Sequence, residues 1–307
     1  MSAEPRNVDP KFGIRELSLV AGGEGLANGP GRCALGPNRL GWIVDTGMNG
    51  LIVAFILNAR VVKALIMREI VTRYGREGLG FLWLVGEPLM FCLGVLTLWT
   101  LIKPEYEHGV RVAPFIMTGY MCQLLLRHTV SYSVNAVQAN VGLLYHRQVK
   151  VLHIYISRAI MEFAGATVAF IVVYALLLIL GVVSVPSNVL ILYAGWLLLA
   201  WFSSGLALVL SGLSMQYEVM ERIVPVLMYL IIPMSGVFLM VGWLPSHYRE
   251  MYLLIPIPNT VEMVRAGVFG EFVATYYHPL YVAGWAAGLT FLGLLLIARA
   301  QKKLDIE

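Results

Sequence analysis

The sequence predicts an all-α integral membrane protein: six transmembrane helices, an N-terminal amphipathic interface helix before them, and outer re-entrant half-helices between the last two. Three observations predict it. Apolar residues fill 59% of 307 positions against 13% charged, with a mean hydropathy of +0.76, which no soluble domain could bury. Apolar runs fall at about 79–101, 112–139, 155–183, 188–213, 223–243 and 279–298, each long enough to cross a hydrocarbon core of roughly 30 Å at about 1.5 Å per residue. Lys and Arg outside those runs number sixteen on the side of the N-terminus and four on the other, which places both termini in the cytoplasm.

Residues 1–50 are rich in Gly, Pro, Asn and Arg and have no sustained apolar periodicity, so they read as a disordered cytoplasmic extension with no cleavable secretory signal. The glycines at 22–25 and 29–31 do not form a phosphate loop, because Gly-x-x-x-x-Gly-Lys-Ser/Thr occurs nowhere in the chain. ATP hydrolysis is therefore not expected of this chain.

Residues 53–76 predict the interface helix. At about 100° per residue Asn58, Glu69, Arg73 and Arg76 collect on a water-facing side, and Val53, Leu57, Val61, Ala64 and Val71 collect opposite. Arg60 and Arg68 fall beside the apolar face, where long basic side chains reach up to headgroups. The basic segment then runs straight into the first span, with Trp83 just inside the boundary.

The second span is the least lipid-like. Tyr120, Gln123, Arg127, Ser131, Asn135 and Gln138 recur every three or four residues and make a polar stripe, which must face an aqueous path, another helix or another subunit. Glu87 lies about 12 Å into the first span and Arg127 about 18 Å into the second, at depths from which they could pair. Pro88 lacks a donor and is expected to bend its helix.

Residues 244–278 are apolar but carry Pro245, Pro256 and Pro258, which suits half-helices at the mouth of a pathway. Trp243, Tyr248 and Tyr252 belong to an aromatic cluster toward the outer face. They read either as a membrane-interface belt or as flat faces that stack on sugar rings. Residues 304–307 form a short cytoplasmic tail. The histidines are scattered and the three cysteines lack ligand spacing, so neither a catalytic constellation nor a metal site is expected.

The stretch Arg68-Glu69 … Arg73-Tyr74 … Leu79-Gly80-Phe81-Leu82-Trp83 … Glu87-Pro88 resembles the opening of ABC-2 type membrane subunits that export polysaccharides, most closely capsular-polysaccharide exporter permeases. The run Pro256-Ile257-Pro258-Asn259-Thr260-Val261-Glu262-Met263-Val264-Arg265 … Gly267 is similar to that family's outer re-entrant region. The resemblance covers about residues 50–303 and none of residues 1–47. It implies a permease in the bacterial inner membrane, homodimeric, with two copies of a separate ATP-binding subunit that holds ATP and Mg, moving a lipid-linked glycan outward. This chain then carries no cofactor and binds no nucleic acid; membrane lipids and an envelope-spanning export complex are further expected partners.

By the same likeness the inner loop at Gly142 to Lys150, with Tyr145, His146, Arg147 and Lys150, couples to the ATPase, together with Arg73 and Arg76 of the interface helix. Glu262 and Arg265 would sit near the outer exit. The other readings are the same architecture carrying O-antigen, teichoic acid, a drug or a lipid, and, more remotely, a membrane enzyme or scaffold that transports nothing.

Overall fold

The computed structural model describes residues 48–74, 80–102, 106, 107, 109–144, 149–270 and 273–304. Of its two compact units, Met1–Leu51 and Ile52–Glu307, the second holds everything below except the first turn of the first helix. In chain order the helices are α1 (Met48–Tyr74), α2 (Gly80–Ile102), α3 (Val112–Val134), α4 (Val141–Leu144), α5 (Val151–Ile179), α6 (Val189–Ser214), α7 (Val219–Leu230), α8 (Ser246–Leu253), α9 (Pro256–Phe269) and α10 (Pro279–Leu304). The predicted all-α chain carries one addition between α2 and α3. Strands β1 (Tyr106–Glu107) and β2 (Val110–Arg111) pair antiparallel around Gly109, whose φ of 79° favours glycine.

Among the described residues three helices are long and apolar enough to cross a membrane: Val151–Ile179, Val189–Ser214 and Pro279–Lys302. Helix α2 has 23 residues and is apolar over most of its length. Helix α3 has 23 residues, about 34 Å of rise, and owes its polarity to its position, because neighbouring helices enclose it. Met117, Met121, Leu125, Leu126 and Val130 are buried in the main core with side chains of α2, α5, α6, α7, α9 and α10. A helix shielded in this way tolerates polar residues that lipid would not.

Element ends depart from the sequence expectation where backbone chemistry intervenes. The run 155–183 is helical from Val151 to Ile179, and Gly181 stops it with φ 72°. The run 112–139 leaves the helix after Val134 through a turn and a 3-10 segment at Gln138–Asn140. The run 223–243 is not one helix. Helix α7 ends at Leu230, a 3-10 turn at Ile232–Met234 contains Pro233, Gly236 has φ 83°, and a second 3-10 turn occupies Val241–Trp243. Two helices, α8 and α9, fill the segment expected to hold re-entrant half-helices.

The tightest packing rests on glycine. A Cβ on Gly293 of α10 would meet Leu208 Cβ of α6 at 2.5 Å, and one on Gly212 of α6 would meet Leu296 Cβ at 2.8 Å. Helices α6 and α10 therefore approach by their backbones, as small residues permit between apolar helices.

Three polar side chains of α1 meet protein. Glu69 pairs with Arg158 of α5 at 3.1 Å, Arg68 donates to Asn140 Oδ1 at 2.6 Å, and Asn58 Oδ1 lies 3.1 Å from His153 Nε2. Leu57, Met67 and Val71 point outward. Separating a charged pair that is withdrawn from solvent would strand both charges, so the Glu69–Arg158 contact holds α1 in this orientation, and an apolar face tolerates lipid.

Candidate functional site

The polar stripe of α3 opens into a groove between α2, α3 and the α7 region. A cavity of about 220 Å³ is lined there by Phe91 and Val95 of α2, by Ile116, Tyr120, Gln123, Leu124 and Arg127 of α3, and by Tyr229, Ile232, Val237 and Phe238. Spacing explains the α3 contribution: positions 120, 123 and 127 lie at i, i+3 and i+7, one face of the helix. The break after α7 explains the other wall, because Pro233 and Gly236 turn the chain so that Val237 and Phe238 face α3.

Aromatic planes dominate this groove. Phe91 stacks on Tyr120 with ring centroids 5.8 Å apart and planes 5° from parallel, and Trp99 stacks on Phe238 at 5.8 Å and 3°. Phe91, Phe238 and Tyr229 remain exposed on one side. Arg127 reaches Tyr229 Oη at 3.4 Å and lies 5.8 Å from its ring centre. Gln123 Nε2 donates to the Met228 carbonyl at 3.4 Å, while Gln123 Oε1 and Tyr120 Oη are buried without a protein partner.

The expected Glu87–Arg127 pair is not formed. Glu87 Oε1 lies 3.9 Å from His128 Nε2, so neighbouring side chains of α3 divide the work: His128 faces the acid and Arg127 faces the groove. Ser131 continues the stripe half-buried and does not line the cavity, and Gln138 at its end donates to Glu221. Phe91, Tyr229 and Phe238 were not singled out in the sequence, since an aromatic residue in an apolar run looks the same facing lipid or facing a groove.

Glu262 and Arg265, expected near an exit, are fully buried within the chain. Arg265 Nη1 donates to the carbonyls of Gly236 (2.7 Å) and Leu239 (3.1 Å), and Nη2 to those of Val237 (2.9 Å) and Phe115 (3.5 Å). Its guanidinium also lies 4.1 Å from the Phe115 ring centre, and Glu262 Oε1 sits 3.5 Å from Nη1 while accepting from the Val241 amide at 3.2 Å. A guanidinium's fixed fork of donors suits this gathering of carbonyls, so the pair clamps residues 236–241 between α3 and α9, while Arg265 Nε and Glu262 Oε2 have no hydrogen-bond partner.

The neighbouring residues of the same stretch also brace structure. Asn259 Nδ2 donates to the Leu253 and Ile255 carbonyls, and its Oδ1 accepts from the His278 amide at 3.0 Å. Gly267 presents its carbonyl to the Asn188 amide at 2.9 Å, in a crossing where a Cβ would lie 2.4 Å from Leu192 N.

Trp243 tilts against Phe115 at 4.9 Å, Tyr252 is half-buried, and Tyr248 is exposed beside His247. Among the ATPase-coupling candidates Lys150 is exposed immediately before α5, and Arg73 lies in the last turn of α1. Arg76, Tyr145, His146 and Arg147 lie outside the described residues. Among the described residues there is no cluster of His, Cys, Asp or Glu that could hold a metal ion.

Residues 60–269 match the family model described as ABC-2 type transporter. The capsule polysaccharide export inner-membrane protein CtrC of Neisseria meningitidis serogroup A is 36% identical over 252 residues, 82% of this chain and 95% of that protein. The capsule polysaccharide export inner-membrane protein BexB of Haemophilus influenzae is 34% identical over 249 residues, 81% of this chain and 94% of its own. The polysialic acid transport protein KpsM of Escherichia coli is 28% identical over 239 residues, 76% of this chain and 91% of that one.

Proposed function

Because this chain belongs to the ABC-2 type transporter family, we propose that it is the membrane-spanning permease of an ATP-driven exporter carrying a capsular polysaccharide from the cytoplasm across the bacterial inner membrane. The groove along α3 carries the reading on the structural side. It joins hydrogen-bonding groups of Tyr120, Gln123 and Arg127 to aromatic faces of Phe91, Tyr229 and Phe238, and it is open on one side. A glycan needs both kinds of surface, hydroxyls on its rim and C–H groups on its ring faces, whereas a drug needs few polar contacts.

One such groove is half of a path. A second copy facing the open side of α2, α3 and α7 would complete it, giving a homodimer with the glycan between the two chains. In this arrangement six membrane segments place both termini in the cytoplasm, and α8 and α9 dip back into the membrane at the outer mouth, where Trp243, Tyr248 and Tyr252 flank the exit. ATP and Mg belong to two copies of a separate ATP-binding subunit, which engage Arg73 and Arg76 and the loop bearing Tyr145, His146, Arg147 and Lys150. Docked on α5 through Glu69 and Arg158, α1 carries their motion to the bundle. An export complex in the outer envelope receives the chain.

The test is deletion of the gene in its host, with the glycan stained at the cell surface and inside the cell. Loss from the surface with accumulation inside supports export after synthesis. Unchanged surface glycan without an internal deposit overturns it and favours another cargo, such as O-antigen, teichoic acid, a drug or a lipid, for the same architecture.

A further inference from the structure

Away from the groove, α5 and α6 each pack on α3 but meet one another little, and a slot of about 110 Å³ lies between them. Leu152, Tyr155, Ile156 and Ala159 form its α5 wall, Ala207 and Leu208 belong to its α6 wall, and Thr129 and Ser133 of α3 lie at its floor. At about 1.5 Å per residue, Ala159 stands about 12 Å along α5 from Val151, and Ala207 about 10 Å along α6 from Ser214. The slot therefore occupies the half of the bundle next to the loop that joins α3 to α5.

Its chemistry calls for an apolar occupant with one acceptor. Ser133 donates to the Thr129 carbonyl at 2.6 Å and Ser204, also on the α6 wall, to the Ala200 carbonyl at 2.7 Å, so both hydroxyls are satisfied within their own helices. Tyr155 is different. It is 3% exposed, and its hydroxyl donates to Met215 Sδ at 3.7 Å, a weak acceptor. Ser211 stands beside that hydroxyl, and its Oγ is buried without a partner. A buried donor with so poor an acceptor costs free energy that a better acceptor would recover. Leu152, Ile156 and Ile160, four residues apart and exposed, continue the slot into the open apolar face of α5. A helix of another chain, about 10 Å across, is too wide to enter, and the volume is well below the roughly 300 Å³ at which small-molecule sites begin. A flexible hydrocarbon chain fits.

We infer that this slot binds one acyl chain of a phospholipid of the cytoplasmic leaflet, with the carbonyl of the chain's ester accepting a hydrogen bond from Tyr155 Oη. Depth agrees with chemistry. Tyr155 stands about 6 Å along α5 from Val151, near the edge of the hydrocarbon where esters lie, and Ala159 and Ala207 stand deeper, where the chain runs. The bound chain fills the gap between α5 and α6. Because α5 also carries Arg158, the partner of Glu69, the lipid steadies the helix on which α1 docks. The inference takes from the export reading only that the chain sits in a membrane with its termini in the cytoplasm, and it holds whatever the cargo.

The experiment strips the full chain of lipid in detergent and titrates it with dioleoyl phosphatidylcholine or with its diether counterpart, which has the same chains and headgroup but no ester carbonyl. Bound lipid per chain is read by native mass spectrometry. The diester is expected to bind about fivefold more tightly than the diether, as for one neutral hydrogen bond. Tyr155→Phe should abolish that preference and leave diether binding unchanged. Ala159→Phe, which fills the slot from its α5 wall, should remove the tight site for both lipids. Should that variant fail to fold, as read by gel filtration, the Tyr155→Phe comparison decides alone.

No tight site in the parent, equal binding of the two lipids, an ester preference that survives Tyr155→Phe, or a tight site that persists in folded Ala159→Phe overturns the assignment. Chain purified from its host gives a second reading: it should retain phospholipid, and equally so when the host makes no glycan. Retained lipid that disappears with the glycan belongs to the cargo's own anchor and also overturns the assignment. The export reading is judged apart from this, by the glycan of the deletion strain, so either can fail without the other.

Discussion

Gly119 makes room for Arg265: a methyl group at position 119 would stand 2.9 Å from Arg265 Nη2 and 2.8 Å from the Val237 carbonyl oxygen. Neither neighbour can retreat, because that same nitrogen donates to that same carbonyl. Gly119→Ala should therefore destabilise the folded chain by about 1–3 kcal/mol, the usual cost of overpacking a filled site. A lowered midpoint of thermal unfolding in detergent, read by gel filtration after heating, checks it. A midpoint equal to the parent's would mean that the clamp has slack.

The Glu262–Arg265 pair makes an asymmetric prediction. Arg265→Met strands a carboxylate at a site 1% exposed and releases the carbonyls of Gly236, Val237, Leu239 and Phe115, so it should cost about 3–5 kcal/mol. Glu262→Gln keeps a hydrogen-bonding side chain beside the Val241 amide and should cost less. Combining the two changes should destabilise by less than the sum of the singles. Additive losses in the same thermal assay would mean that the two side chains act independently.

The membrane class was legible in composition, and the polar face at 120, 123 and 127 was legible in spacing, because both are properties of a single helix. What resisted reading depends on which helix meets which. The charges of α1 segregate as they would on a helix facing water, yet Glu69 and Arg68 are spent on Arg158 and Asn140, some 70 or more residues away in the chain, a pairing no local pattern encodes. Glu87 and Arg127 have compatible depths, but azimuth decides contact, and one position along α3 puts His128 there instead. The sequence around Glu262 and Arg265 looked functional because buried charge is costly and uncommon; here its use is to tie an irregular segment to α3.

Docking of α1 gives a third prediction. Glu69 and Arg158 are 17% and 10% exposed at the side chain, withdrawn enough for the pair to matter. Arg158→Glu should lower surface glycan while the protein still reaches the membrane, and adding Glu69→Arg should restore much of it. A coupling energy of about 0.5–3 kcal/mol between the two positions is expected from the unfolding midpoints of the four variants. Failure of the swap to restore anything would place the Arg158 effect in the bundle rather than at α1.

Reversing charge at Arg147 and Lys150 tests how ATP hydrolysis reaches the path. Lys150 is exposed at the base of α5, its amide donates to His153 Nδ1 at 3.2 Å, and His153 in turn meets Asn58 of α1, so a push on this loop is shared by two helices. If this loop meets an acidic contact on the ATP-binding subunit, Arg147→Glu with Lys150→Glu repels it. Surface glycan should fall by roughly tenfold or more, as for the loss of a coupling free energy of about 1–3 kcal/mol, while ATP hydrolysis by the purified complex continues. The spans should remain folded, because Lys150 is exposed and both positions precede α5. Normal export by this double variant would move the coupling contact elsewhere, with the last turn of α1 at Arg73 the next place to reverse.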